Sequence, residues 1–281
     1  MEIFRTINGL RGCVQAWRQT GAKVGFVPTM GFLHDGHLSL VRRAKSHADR
    51  CVVSIFVNPT QFGQAADLDA YPRNEARDLD MLEAQGVDAV FIPEVNEIYA
   101  PGDETIVETT RLANILHGQV RPGHYRGVAS VVTRLFNIVQ PDVAVFGEKD
   151  YQQLQVIRRM VRDLHMPIEI IGGPTVREAD GLAMSSRNVR LTDADRAAAV
   201  VLSRALDAAE AVATTGGTVE SIRAVIQDTI DAEPRATLTG LDTVHHSDLT
   251  EMSGSLGAPL AVMISAQFSD ILLIDQRVIQ P

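Results

Sequence analysis

The chain has 281 residues, of which 45% are hydrophobic and 22% charged, so it falls among soluble globular proteins with room for a large domain and a smaller one. Lysine and arginine number 26 against 35 aspartate and glutamate, and the resulting net charge of −9 argues against the basic face that a nucleic-acid partner requires. Cys13 and Cys51 show no CxxC or Cys/His metal spacing, Glu2, Arg5 and Arg11 interrupt any secretory-signal core, and no run approaches the roughly 18 apolar residues that cross a bilayer, so a cytoplasmic protein without a membrane partner is expected.

Short apolar, β-rich runs at 24–27, 51–57, 89–92, 143–146 and 168–171 alternate with helical patterns at 37–48, 75–85, 128–139 and 151–164. The runs are continuous rather than alternating, as strands covered by helices on both faces are. This order predicts an α/β fold: a doubly wound, Rossmann-like parallel sheet. Cys51 opens one such run and reads as a small core residue. Past about residue 175 the pattern changes to a long helix over 193–213, a turn at 214–217 and a second helix over 219–230. Strand patterns follow at 241–246, 260–268 and 271–274, the last two separated by Ser269-Asp270 as in a hairpin. The expected domains are therefore 1–176, Rossmann-like and ligand-binding, and 177–281, a smaller C-terminal α+β domain able to act as a lid.

The richest segment is PTMGFLHDGHLSL, where the run at 24–27 ends and a helix begins at about Gly36-His37. A helix start favours phosphate through its N–H groups and dipole, Gly36 permits close backbone approach, and His34 and His37 share one side of the first turn. There they can donate hydrogen bonds to an α-phosphate as charge develops on it. Capping or surface histidines are the plainer alternative, but the position is the carboxyl end of the first expected strand, where α/β folds bind ligands. A zinc pair lacks both a third ligand and an HExxH pattern.

Other segments at strand ends carry chemistry as well. Gln61 offers a donor and an acceptor to a hydroxy acid; Lys149 suits phosphate oxygens and Asp150 suits Mg²⁺; Gln153 lies one helical turn after Asp150. Glu148 reads as a solvated carboxylate at a helix start. Ser185, Ser186 and Arg187 in Met184-Ser185-Ser186-Arg187-Asn188 can follow phosphates, and the guanidinium can do so with two bonds. Arg121 and His124 of RPGHYRGV line an acid pocket or face solvent, and Tyr71 and Arg73 have position but no assigned role.

PTMGFLHDGHLSL, SIFVNPTQF, YPRN, RPGHYRGV, FNIVQPD, FGEKDYQQL and MSSRN stand in this order between residues 28 and 188. Their series resembles the pantothenate synthetase (pantoate–β-alanine ligase) family of the HxGH nucleotidyltransferase superfamily. MSSRN itself is similar to a KMSKS loop with Arg187 in place of the second lysine. The resemblance implies ATP-dependent condensation of pantoate with β-alanine to pantothenate, AMP and pyrophosphate through a pantoyl adenylate, a step toward coenzyme A. It implies ATP contacts at Met30, Gly31, Phe32, Leu33, His34, Asp35, Gly36, His37, Gly147, Glu148, Lys149, Asp150, Val176, Met184, Ser185, Ser186 and Arg187. Among these, His34, His37, Lys149 and Arg187 are the expected catalytic residues, Gln61 and Gln153 the pantoate and β-alanine contacts, Asp150 the Mg²⁺ ligand, and a homodimer the expected assembly. Two alternatives are a nucleotidyltransferase acting on a phosphomonoester, which has no need of Gln61 and Gln153, and a nucleotide-binding regulator without turnover.

Overall fold

The computed structural model describes residues 1–63 and 68–281. It divides into two compact units, Met1–Gly147 with Gln153–Pro174, and Glu148–Gln152 with Thr175–Pro281. The last crossing between the units falls after Pro174, where the expected cut lay after 176, and residues 148–152, a short turn and the first two residues of the helix that starts at Tyr151, cluster with the C-terminal unit.

The first unit is a six-stranded, all-parallel sheet in the order β1-β4-β3-β2-β5-β6. Its strands are β1 (Glu2–Phe4), β2 (Val24–Thr29), β3 (Arg50–Ile55), β4 (Ala89–Phe91), β5 (Val143–Gly147) and β6 (Glu169–Gly173). The main helices are α1 (Ile7–Gln19), α2 (Asp35–Lys45), α3 (Glu75–Ala84), α4 (His124–Val139) and α5 (Tyr151–Asp163). Phe26, Val27, Cys51, Val52 and Val53 are wholly buried, which explains why the sheet's centre reads as unbroken apolar runs.

From β2 the chain moves outward through β3 and β4, then returns to the other side of β2 to form β5, so the topological switch lies between β2 and β5. The ladder between these strands covers only Gly25↔Val143 and Phe26↔Ala144, although β2 runs to Thr29 and β5 to Gly147. Pro28 lies in that unpaired half and has no N–H to give. The carboxyl ends of the two central strands therefore part, and the loop after β2 leads into the opening. Helix α2 is drawn down on the sheet by small residues: a Cβ on Gly173 would overlap Leu40, and one on Gly25 would sit 3.1 Å from the Ala44 carbonyl oxygen.

The second unit holds an antiparallel sheet, β7 (Thr237–His245), β8 (Leu260–Phe268) and β9 (Ile271–Ile279), with β8 central. One face packs on α7 (Val201–Thr214) and α8 (Val219–Asp231), which follow a short α6 (Asp193–Ala198). Leu202, Leu206, Ile222, Ile226 and Phe268 form the centre of that core. The β8–β9 hairpin closes through Ser269-Asp270, with Ser269 left-handed at φ 49.

Three expectations shift. The single helix over 193–213 is two, because Ala199 and Val200 form a turn between α6 and α7, without glycine or proline to mark it. β1 and α1 precede the first expected strand; Ile3 is 47% exposed at the sheet edge, so β1 carries no buried run. Helix α2 starts at Asp35, just ahead of the expected Gly36-His37, with His34 as its N-cap.

Candidate active site

The turn from β2 into α2 is held almost entirely through its own amides. Thr29 Oγ1 donates to the Ser54 carbonyl at 2.7 Å and accepts from Gly31 N–H at 3.2 Å. Gly31 and Phe32 are both left-handed, at φ 81 and φ 50. At Gly31 a Cβ would meet Ile55 at 3.0 Å and the Asp78 carboxylate at 3.1 Å, so only glycine suits that position. Phe32 N–H and Leu33 N–H donate to the two oxygens of Asp78, at 2.7 and 2.8 Å.

His34 and His37 then cap α2 reciprocally. His34 Nδ1 accepts from Gly36 N–H at 3.2 Å, and His37 Nδ1 accepts from His34 N–H at 3.3 Å. His37 N–H donates to the His34 carbonyl at 2.8 Å. Backbone N–H groups only donate, so both Nδ1 atoms are acceptors, and the proton of each neutral imidazole is assigned to Nε2. The ring centroids lie 4.1 Å apart. Capping therefore occupies Nδ1 of each imidazole and leaves the proton on the other nitrogen. The amides of Gly36 and His37 are engaged within the turn itself. Asp35 is exposed in the first turn, where the dipole favours a carboxylate.

Gln61 sits in a short 3₁₀ turn, Pro59–Gln61, after β3 and is 9% exposed. Its Oε1 accepts from Asn58 Nδ2 at 3.0 Å and its Nε2 donates to Met30 Sδ at 3.3 Å, so residues 30 and 61 meet. A thioether is a weak acceptor, and a substrate oxygen offered to Nε2 would be a better one. Asn58, which sequence reasoning passed over, is the hub. It is 1% exposed; its Oδ1 accepts from Tyr99 Oη at 2.8 Å and Thr60 Oγ1 at 2.9 Å, while Nδ2 also donates to the Gly127 carbonyl at 3.2 Å. Burial pushes the Tyr99 hydroxyl up, which keeps it a donor, although the Thr60 bond acts the other way.

The RPGHYRGV segment joins this network. His124 Nδ1 lies 2.9 Å from the Gln61 carbonyl and its Nε2 3.4 Å from an Arg121 nitrogen. A carbonyl only accepts, so a proton is assigned to His124 Nδ1. Gly127 packs directly on the turn: a Cβ there would stand 2.5 Å from the Thr60 carbonyl oxygen. Arg121 and His124 thus border the Gln61 turn, while Tyr71 and Arg73 are paired locally, Arg73 with the Tyr71 and Leu68 carbonyls. Gly147 ends β5 and Gln153 lies half-buried in α5, both in the first unit.

The remaining expected residues belong to the second unit. Glu148–Asp150 forms a 3₁₀ turn packed on β9, with Glu148 and Lys149 half-buried and Asp150 exposed. Tyr151 Oη anchors the strap by donating to the His246 carbonyl at 2.7 Å. A β-bridge between Arg177 and Ala183 folds the chain back, and Met184 N–H donates to the Val176 carbonyl at 2.9 Å, so these two residues are neighbours. Asn188 Nδ2 ties the MSSRN loop to Glu178 at 3.0 Å and to the Ala183 carbonyl at 3.1 Å. Ser185 Oγ accepts from Arg187 N–H at 3.2 Å, and the Arg187 side chain is exposed. Beneath the loop, Arg177 grips buried Asp275 with two bonds of 2.6 and 3.0 Å. Among the described residues no cluster of three or more His, Cys, Asp or Glu can cage a metal ion.

The family model for pantoate-beta-alanine ligase matches residues 2–278. The chain belongs to the pantoate-beta-alanine ligase family. Within that family it is 46% identical over 281 residues to the pantothenate synthetase of Bartonella tribocorum, covering 100% of this chain and 98% of the relative. The pantothenate synthetase structure from Thermus thermophilus is 45% identical, with a TM-score of 0.95 and full coverage of both chains. A pantoate-beta-alanine ligase from Francisella tularensis, complexed with beta-gamma ATP and beta-alanine, is 33% identical, with a TM-score of 0.82 over 99% of this chain and 97% of its own. The six-stranded parallel sheet with a small antiparallel unit is thus the fold of this family.

Proposed function

We propose that the protein condenses pantoate with β-alanine at the expense of ATP, giving pantothenate, AMP and pyrophosphate through a pantoyl adenylate. The observation that carries this reading is the turn after β2, where two imidazoles use one nitrogen each to cap α2 and carry a proton on the other. Full-length kinship with pantothenate synthetases supports the substrates, and the ATP and β-alanine in the Francisella relative support the same chemistry.

In the first step a pantoate carboxylate oxygen attacks the α-phosphorus of ATP, and the bond to the bridging oxygen breaks as pyrophosphate leaves. Negative charge on the α-phosphate oxygens rises in the transition state, and Nε2–H donors from His34 and His37 stabilise it there more than in the ground state. By family resemblance Lys149, Ser185, Ser186 and Arg187 serve the other phosphates and Gly147 and Val176 the adenosine, with Glu148 and Met184 among the ATP contacts. Gln61 and Gln153 orient pantoate so that its carboxylate meets phosphorus in line. In the second step the neutral amine of β-alanine attacks the acyl carbon and AMP departs. Adenylation is what makes this possible, since a bare carboxylate would have to expel an oxide.

Exposed Asp150, without a cage of further carboxylates among the described residues, fits an Mg²⁺ that is held mainly by phosphate oxygens and water. Bound there, the ion would offset phosphate charge. On family resemblance alone we also propose a cytoplasmic homodimer, which light scattering checks as twice the 30.6 kDa chain mass.

The test is AMP release in the presence of ATP and Mg²⁺. It should require both pantoate and β-alanine, whereas pyrophosphate release should require only pantoate. Pyrophosphate release with a phosphomonoester in place of pantoate, or no turnover with any acceptor, would overturn the assignment.

A further inference from the structure

Two left-handed residues in succession lie just ahead of the histidines. Phe32, a bulky residue, holds a left-handed φ of 50 directly after Gly31 at φ 81. Such a conformation persists only where the surroundings over-determine it. The determinant comes from α3, more than forty residues on. Asp78 is 1% exposed and spends one carboxylate oxygen on Phe32 N–H and the other on Leu33 N–H. Its neighbour Arg77 holds the next peptide along, donating to the Leu33 carbonyl at 2.9 Å with its guanidinium carbon 5.5 Å from the Phe32 ring centroid. Arg77 also stands 3.9 Å from Asp78, giving the buried carboxylate a counter-charge. Two consecutive helix residues therefore hold the three successive peptides that lead from Gly31 to His34.

We infer that Asp78, seconded by Arg77, is a positioning residue for adenylate formation. It fixes the left-handed Phe32-Leu33 turn, and through it the entry of α2 and the direction of the His34 and His37 rings. The inference rests on the proposed role of those histidines. A carboxylate is required because two N–H donors point at one side chain; an amide of the same shape would turn a donor toward one of them.

The experiment compares wild type, Asp78→Asn, His37→Ala and the double variant in single-turnover pyrophosphate release with ATP, Mg²⁺ and pantoate. Amide hydrogen exchange of the peptide spanning 29–38 is measured in the same full-length proteins. Asp78→Asn should slow release about 100-fold with the KM values for ATP and pantoate within about threefold of wild type. In the His37→Ala background it should cost less than about threefold more, because both changes act through one element. Exchange of peptide 29–38 should rise about tenfold while peptides of β3 and β4 stay protected. Should Asp78→Asn fail to fold, Arg77→Met, which keeps the stem and removes the donors, carries the same expectations at about a tenth of the effect. Full additivity of the two losses, wild-type release by Asp78→Asn, or unchanged exchange of 29–38 overturns the inference. A His37→Ala enzyme at the wild-type rate would instead sink the reading of the histidines, and the exchange data would then decide the clamp alone.

Discussion

Gly127→Ala offers a test in which two physical effects of opposite sign compete. In an exposed helix this change stabilises by about 1 kcal/mol, through lower backbone entropy in the unfolded chain. Gly127, however, lies where the first turn of α4 rests on the Pro59–Gln61 turn. A Cβ there would stand 2.5 Å from the Thr60 carbonyl oxygen, 2.7 Å from its carbon and 2.8 Å from Gln61 Cα, where ordinary contact begins at 3.4 Å. All three atoms are backbone, so no rotamer relieves the overlap, and one element must retreat by about 1 Å. Overpacking of this kind costs about 1–3 kcal/mol, so the net change is a loss of up to about 2 kcal/mol. The displaced element also carries Gln61 and strains the Asn58 bond to the Gly127 carbonyl. A shift of about 1 Å in a substrate-positioning group costs up to about 100-fold, which should fall on kcat/KM for pantoate and leave the KM for ATP nearly unchanged. Urea denaturation and steady-state kinetics read the two effects separately. A variant as stable as wild type with unaltered pantoate kinetics would refute both the packing argument and the place given to Gln61.

Two further predictions concern titrating groups. Burial pushes the Cys51 thiol up to about 12, so at pH 8 its thiolate population is on the order of 10⁻⁴; native alkylation followed by mass spectrometry should label half-buried Cys13 first and Cys51 only after unfolding. Asp195 accepts hydrogen bonds from Thr192, Ser269 and Arg235, which hold its carboxyl below the usual aspartate range against some desolvation. The charged form is favoured in the folded state, so its stabilisation is present above the unfolded pKa of about 3.9 and fades as pH falls through the lower folded value. The melting-temperature gap between wild type and Asp195→Asn should therefore be constant above about pH 5 and close at lower pH; a gap that widens on acidification would contradict this.

What the sequence disclosed and withheld follows from which interactions are local. The central strands and the hairpin through Ser269-Asp270 are readable because burial on both faces and tight turns leave a pattern within a few residues. β1 leaves none, since an exposed three-residue edge strand buries too little. The break at Ala199-Val200 is equally silent, for both residues suit a helix interior. The places of His34, His37 and Gln61 just after strands were legible from the apolar runs that precede them. Asn58 stands in the same segment, and its amide beside Pro59 at a strand end was a signal that could have found it. Asp78 and Arg77 were not legible, because a charged pair in a helix reads as solvated until tertiary structure turns it toward the backbone of Phe32 and Leu33.

Because each imidazole caps α2 with one nitrogen and is proposed to serve phosphate with the other, a plain alanine substitution is ambiguous, and the structure supplies the way around it. His37→Ala removes both the Nδ1 that receives the His34 N–H and the Nε2–H proposed for phosphate. Losing the cap should cost about 1 kcal/mol of stability, and losing the donor about 100- to 1,000-fold in adenylate formation. His37→Asn separates them: its side-chain oxygen occupies nearly the place of Nδ1 and can accept the same N–H, but it offers nothing where Nε2 was. That variant should melt within about 0.5 kcal/mol of wild type yet form adenylate as slowly as His37→Ala, measured by single-turnover pyrophosphate release. If asparagine restored the rate along with the stability, the histidine would be a cap and no more, and charge stabilisation at the α-phosphate would have to come from other groups.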